Sequence, residues 1–249
     1  MYLKRISIVI LFPALFLGGC SKNRDSALTG SDQAAAVTFK TPEEAVTRYL
    51  EGVAQNDVRK ILQASAINEM GTKFKFDVYA ERLRAINPAY LAPAEYPLYA
   101  EINKAQLSSQ ILNQVKNLSY SLLSGEQLEG SVIQADAERA QRFAKDVDPQ
   151  RLSKLEVKKI SLPNKTVMSD PKYVENAARI AQGYGADEST ERLALVSFGQ
   201  NYYYVGFTLL RYGAGWKIGN QVSPLAGTST LGAAQQTTEE EFERLSNGR

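Results

Sequence analysis

The sequence predicts an α+β fold in which N-terminal helices pack on a C-terminal antiparallel sheet. Apolar residues recur at helical spacing near the start of the chain, and three strand-like runs separated by glycine turns follow near its end. The segments between these two regions favour further, inserted helices. With 249 residues, of which 44% are hydrophobic, the chain is long enough to build one sizeable core.

The first 19 residues have the parts of an export signal: Lys4 and Arg5, an apolar run over 6–16, and two small residues before a cut site. The run is shorter than the roughly 20 apolar residues that span a bilayer. The tetrapeptide Leu17-Gly18-Gly19-Cys20 resembles the lipobox of bacterial lipoproteins. That resemblance implies removal of a signal peptide, 1–19, and lipidation of Cys20. An ordinary secretory signal or a buried helix is the alternative.

The expected location is therefore the extracytoplasmic face of a cell membrane, or the outer membrane if the host has two. Residues 20–40 are polar and small, which is typical of a flexible tether between the lipidated cysteine and a folded body.

Composition excludes several chemistries. Cys20 is the only cysteine, so the chain cannot form an internal disulfide, and histidine is absent, which rules out Ser-His-Asp triads and imidazole metal sites. Removing Lys4 and Arg5 from the 29 basic residues leaves 27, equal to the 27 acidic ones. A neutral chain without a basic face does not predict nucleic-acid binding. No motif indicates a metal or a cofactor.

The first helix begins after Thr41, where Thr41 and Glu44 fit a capping box and Pro42 occupies the first helical position. Its buried stripe is expected to comprise Val46, Tyr49, Leu50 and Val53. A second helix is expected after Asp57, a favourable N-cap, with Val58, Ile61 and Leu62 turned inward.

The middle of the chain is less regular. Between 68 and 100, three prolines interrupt a tyrosine-rich stretch, which is therefore expected to be an ordered loop. The loop either lines a binding site or covers the core. Its prolines and tyrosines are Pro88, Pro93, Pro97, Tyr79, Tyr90, Tyr96 and Tyr99. Apolar spacing then predicts a helix from about Glu101, although 118–123 also fits a strand. A further helix over 133–147 is predicted to turn inward Ala140, Phe143 and Val147.

The β region begins at 155–162, where a one-residue slip in the apolar alternation predicts a strand with a bulge. A helix follows Asp170-Pro171 and is expected to end at Gly183. Runs over 192–198, 202–212 and 216–223 predict three strands joined as a meander. We therefore expect a single domain over 41–225, followed by a linker and a loosely held tail over 226–249.

Two segments, TPEEAVTRYLEGVAQNDVRKILQAS and TLLRYGAGWKIGNQVSP, resemble the opening helices and the final hairpin of the nuclear-transport-factor-like (SnoaL-like) fold. The resemblance implies a cone-shaped half-barrel whose sheet encloses a pocket. Some families with this fold are isomerases, dehydratases or cyclases, whereas others are binding or accessory domains, so the fold does not decide the function.

Two functional hypotheses follow. In the first, the chain is a non-catalytic binding module for an envelope protein or a small apolar ligand, and one face of the middle strand supplies the surface: Tyr202, Tyr204, Thr208 and Tyr212. In the second, it is a small-molecule enzyme that pairs a tyrosine donor with a carboxylate base; the candidates are Asp77, Asp187 and Glu188. A transporter's substrate-binding lipoprotein is a third class, but the chain shows no βαβ repetition.

Overall fold

The computed structural model describes residues 37–248, apart from 127, 129, 131 and 133. The predicted signal peptide, Cys20 and most of the predicted tether lie outside these residues. The helices are α1 (Pro42–Ala54), α2 (Val58–Ala64), α3 (Ile67–Lys73), α4 (Phe76–Leu83), α5 (Pro97–Ser124), α6 (Ala137–Asp146), α7 (Lys165–Met168), α8 (Pro171–Gly183) and α9 (Glu239–Asn247), with a 3₁₀ helix over Pro149–Lys154. The strands are β1 (Glu156–Ser161), β2 (Glu188–Phe198), β3 (Asn201–Tyr212), β4 (Gly215–Asn220) and β5 (Gln235–Thr237).

The strands form one open antiparallel sheet in the order β1-β2-β3-β4, and β5 pairs with β3 beyond the end of β4. Tight turns at Gly199 and Gly213, both with positive φ, join β2 to β3 and β3 to β4. The predicted bulge lies between Val157 and Lys159 of β1. Helices followed by an antiparallel sheet that does not close confirm the predicted α+β class and fit a cone-shaped half-barrel.

The main core lies between one face of the sheet, α1 and the C-terminal half of α5. Thr41 caps α1 by accepting a hydrogen bond from the backbone N–H of Glu44 (3.1 Å), but the predicted capping box is only half formed, because the Glu44 carboxylate accepts from the Lys40 N–H (2.7 Å). Inside, the fully buried Tyr49 ring meets the Phe207 ring edge-on, with 5.5 Å between centroids. The core also contains Leu50, Ile111, Leu118, Val205 and Leu209. Apolar side chains therefore fill the space that the resemblance suggested as a pocket.

The opposite face of the sheet is covered in three parts. At the Tyr212 end, α3 and the 84–96 segment form a second apolar cluster around Phe74. In the middle, the segment after β4 crosses β3 at Gly206, where a β-carbon would come within 2.6 Å of Ser223 and Thr228. At the other end, α9 places Phe242 against β2.

Helix α5 is longer than the sequence predicted. Pro97 occupies its first turn, where a missing N–H costs no hydrogen bond, so the proline begins the helix instead of preventing it. Residues 118–123, which also fitted a strand, belong to this helix, and Gly125 (φ 68°) follows it in the left-handed conformation. The short helices α3 and α4 occupy part of the stretch that was expected to be a loop.

Two predictions are corrected. Helix α6 contains no buried residue: of the three residues expected to face inward, Ala140 is exposed and Phe143 is only half-buried, whereas Val147, just after the helix, packs against the main core. The tail after Leu225 is not loosely held, because β5 joins the sheet and the Phe242 side chain is completely buried. None of the helices within the described residues is long and apolar enough to cross a bilayer.

Candidate binding cleft between α5 and α6

The four predicted surface residues of β3 do lie on one face, because strand residues alternate. Different elements cover them. Tyr202 and Tyr204 pack around Phe242 of α9. The Thr208 hydroxyl donates to the Val222 carbonyl (2.8 Å), and the Tyr212 hydroxyl donates to the Tyr184 carbonyl (3.0 Å). The structure therefore does not bring these four side chains together in one open site.

The three candidate carboxylates are all exposed and lie apart from the apolar interior. Asp77 is in the first turn of α4. Asp187 accepts a hydrogen bond from the Gly213 N–H (2.7 Å), which holds the β3–β4 turn, and Glu188 forms an ion pair with Arg211 (3.0 Å). Asp187 and Glu188 therefore stabilise the end of the sheet through contacts with β3 and the β3–β4 turn.

The tyrosine-rich stretch divides into two pairs. Tyr79 and Tyr90 stack with their ring centroids 4.8 Å apart, and the Tyr90 hydroxyl lies 2.5 Å from that of Tyr184. Burial, with Tyr184 adjacent, raises the pKa of the Tyr90 hydroxyl far above its usual range. These rings cover the core, whereas Tyr96 and Tyr99 are exposed.

A cleft of about 620 Å³ lies between α5, α6 and the segment that joins them. One wall is α5, which contributes Asn113, Lys116, Asn117 and Tyr120; the other is α6, which contributes Arg139, Ala140 and Phe143. Leu128 and Leu231 complete an interior that is mostly apolar. The volume falls in the range of about 300–1,000 Å³ that is typical of small-molecule sites.

The cleft exists because α6 stands away from the body. The Phe143 and Tyr120 rings pack edge to face with 5.2 Å between their centroids, and Arg139 forms an ion pair with Glu126 through two hydrogen bonds. These contacts hold α6 at its inner side, yet Phe143 is only half-buried and Ala140 is exposed. The apolar side of α6 is therefore only partly covered by the protein itself.

The polar groups of the cleft carry a small positive excess. The lining contains two cations, Lys116 and Arg139, and one carboxylate, Glu126, whose hydrogen bond and charge raise the pKa of the Arg139 guanidinium. The Lys116 ammonium donates to the Asn113 side-chain oxygen (3.0 Å), and the Asn117 amide donates to the Leu231 carbonyl (3.0 Å). The cleft thus offers an apolar body with cationic and amide groups at its edge.

Sequence reasoning missed one buried acid. Glu191 of β2 is only 7% exposed and accepts hydrogen bonds from the Tyr173 hydroxyl (3.0 Å), the Ser223 hydroxyl (2.6 Å) and the Leu225 N–H (3.1 Å). The Ser223 and Leu225 donors fasten the segment after β4 to the sheet, and the Tyr173 donor fastens α8, so the carboxylate supports the fold. Within the described part of the chain, no three His, Cys, Asp or Glu side chains are grouped as potential metal ligands.

No protein-family profile matches the chain, and no curated protein matches it significantly. Among solved structures, it is similar to a cystatin-like protein from Ruminococcus gnavus ATCC 29149, with a TM-score of 0.55 and 24% sequence identity. The match covers 79% of this chain and 44% of the other, so this chain spans less than half of that protein's length. A similarity at this level shows a cystatin-like α+β fold, which is compatible with the nuclear-transport-factor-like resemblance.

Proposed function

We propose that this protein is a lipid-anchored, extracytoplasmic binding module that holds a small apolar or amphipathic ligand in the cleft between α5 and α6. The observation that carries the proposal is the ligand-sized cleft beside the incompletely covered side of α6. A preformed concave site with a mostly apolar lining and a few polar groups is the usual form of a small-molecule site.

The cone interior is a poorer candidate for binding. Tyr49, Phe207 and their neighbours fill it, and opening it would break a packed core. The cleft, in contrast, is already open, and a ligand there would cover Phe143 and Ala140 without displacing buried side chains. The ligand chemistry that fits is an apolar body with an anionic or hydrogen-bonding end near Lys116 and Arg139.

Dye binding tests the cleft. The probe is anilinonaphthalene sulfonate, an apolar fluorophore with an anionic group, titrated into the mature chain carrying Cys20→Ser. Ala140→Trp places an indole in the cleft, whereas Ala144→Trp makes the same substitution at an exposed position of α6 that does not line it. The account predicts binding by the parent and by Ala144→Trp, and loss of binding by Ala140→Trp. Equal binding by all three proteins contradicts it.

Metabolic labelling tests the anchor. Cells fed an alkyne analogue of palmitate should incorporate it into the full-length chain, and Cys20→Ser should abolish the label because this is the only cysteine. The reporter for folding is the thermal transition of the mature body, which Cys20→Ser should leave unchanged. Label retained by Cys20→Ser, or absent from the parent, would refute lipidation at this residue.

A further inference from the structure

The first two turns of α5 carry an apolar cluster on the protein surface. Tyr96 is 62% exposed, Leu98 69%, Tyr99 41% and Ile102 47%. The Tyr96 and Tyr99 rings contact each other edge-on at 5.8 Å, so the cluster is packed together. We call these four residues the α5 patch. Grouped exposed apolar side chains of this kind mark contact surfaces more often than isolated ones do.

The α5 patch is not the outer part of a core. The buried residues of this end of α5 are Ala100, Asn103 and Leu107. At 100° per residue, Leu98 and Ile102 lie one turn apart on the opposite side of the helix. Pro97 fixes the start of the helix, and Asn103 binds the backbone of Ala92 through two hydrogen bonds (2.8 and 2.9 Å), so the patch is held on a rigid support.

A series of contacts links the point where the chain enters the folded body to the start of α5. The Trp216 N–H donates to the Phe39 carbonyl (2.8 Å) beside the β3–β4 turn. The ring of Tyr212, which is at that turn, lies under the Lys73 ammonium, with 5.1 Å between the nitrogen and the ring centroid. Lys73 is in α3, whose Gly71 has no room for a side chain because Lys104 of α5 packs directly against it. Successive contacts therefore connect the chain's entry point to the start of α5.

The predicted tether is short. Residues 21–36 lie between Cys20 and the described body. A flexible chain of that length spans on the order of 20–24 Å. A folded body on a tether of this length would remain close to the membrane, which places the α5 patch within reach of the bilayer. Tyrosine beside aliphatic side chains suits the boundary between headgroups and acyl chains, because the ring is apolar and its hydroxyl is polar.

We infer that the α5 patch docks the folded body onto the bilayer to which the protein is anchored. This inference rests on the lipid anchor of the proposed function and adds a second, non-covalent membrane contact. The four patch residues carry no charge; of the two acidic residues beside them in the chain, Glu101 is paired with Lys104 (2.6 Å) and Glu95 is exposed. The contact is therefore driven by apolar insertion, and it does not require anionic lipid.

Because lipidation would consume the thiol of Cys20, an engineered cysteine would be the only free thiol for labelling. Leu98→Cys carries an environment-sensitive nitrobenzoxadiazole dye on the α5 patch, and Val174→Cys carries it on α8, where the side chain is 54% exposed. Both full chains are lipidated in cells, purified and reconstituted into phosphatidylcholine vesicles. Intact mass confirms the lipid before each measurement, so a failed anchor is distinguished from a failed docking. Ile102→Cys repeats the test one turn along.

Insertion to about 5–10 Å below the headgroups should shift the emission of the Leu98 and Ile102 dyes to shorter wavelength. Nitroxide-labelled lipid should quench them several-fold more strongly than the Val174 dye. Equal quenching at Leu98, Ile102 and Val174 overturns the inference. If the Leu98 dye is shielded from water in vesicle-free Cys20→Ser protein, a second copy of the chain covers the patch. If the dye is shielded only in native membranes, a protein partner covers the patch. Either result also overturns the inference.

Discussion

Replacing Phe242 with alanine measures how firmly the C-terminal tail belongs to the fold. The ring is completely buried against Leu193 and Leu195 of β2, with Tyr202 and Tyr204 beside it. Phenylalanine-to-alanine changes in cores cost about 3–5 kcal/mol. Because α9 lies on the surface and can settle into part of the space, we expect a loss near the lower limit, about 3 kcal/mol.

Urea denaturation of the mature Cys20→Ser chain gives the free energy of unfolding, and Val174→Ala, an exposed substitution on α8, is the control with an expected change within about 0.5 kcal/mol. Amide hydrogen exchange over 235–247 distinguishes a tail that unfolds together with the body from a tail that detaches first. Faster exchange throughout the protein indicates that the tail unfolds with the body, and faster exchange there alone indicates that α9 detaches first. A Phe242→Ala protein as stable as Val174→Ala, with unprotected amides over 235–247 in the parent, would refute the docked tail.

The remaining predictions concern single contacts. Tyr49→Phe removes a buried hydroxyl that donates to the Gln221 side-chain oxygen (2.8 Å); it should cost about 1–3 kcal/mol in urea, whereas the exposed Tyr96→Phe should cost almost nothing. Gly206→Ala forces a β-carbon to within 2.6 Å of Ser223 and should lower the free energy of unfolding by at least about 1–3 kcal/mol. Gly183→Ala is the control, because nothing lies within 4 Å of its β-carbon and no such loss is expected. Equal losses in the two variants would contradict the close packing at Gly206. For Glu43, burial raises the carboxyl pKa, but the Arg192 hydrogen bond and charge, together with hydrogen bonds from the backbone and Thr41, outweigh it and lower the pKa below its usual 4.5. The pair's stability is therefore present above that pH and lost as the pH falls through the folded pKa. Glu43→Gln should remove less than about 1 kcal/mol of it at neutral pH, because the carboxylate is 45% exposed, and acid titration of the Tm should converge for the two proteins.

Local patterns were sufficient for the regular elements of the fold. The Thr41 N-cap of α1, the bulge in β1 and the two glycine turns around β3 are each determined by residues close together in sequence, and all are present in the structure. The alternation along β3 also assigned its two faces correctly. Such features depend on short-range backbone geometry, which a single sequence records well.

The composition after β4 was misleading. Gly, Ser, Thr and Ala are typical of linkers, but here small side chains are required because the segment crosses β3 in direct contact with Gly206. Its polar residues are also buried: the Gln221 amide donates to the Gln114 carbonyl (3.2 Å), and Ser223 binds Glu191. These partners are more than 30 residues away, so no local pattern indicates them.

The candidate cleft was not predicted for a related reason. The sequence correctly placed Phe143 and Ala140 on the apolar side of a helix, and apolar periodicity normally indicates burial. How closely that helix approaches α5 depends on the segment between them and on Leu231, which comes from a distant part of the chain. The spacing of apolar residues indicates which side of a helix faces the protein, but the width of a cleft depends on the distance between two elements.

Small molecules retained by the protein in its own cells test the central claim most directly. The parent, Ala140→Trp and Ala144→Trp are isolated from native membranes under mild conditions, and their solvent extracts are compared by mass spectrometry. The account predicts a compound with an apolar body that accompanies the parent and Ala144→Trp and is depleted from Ala140→Trp. The same compounds in equal amounts in all three extracts, or none in any, would contradict ligand binding in the α5–α6 cleft.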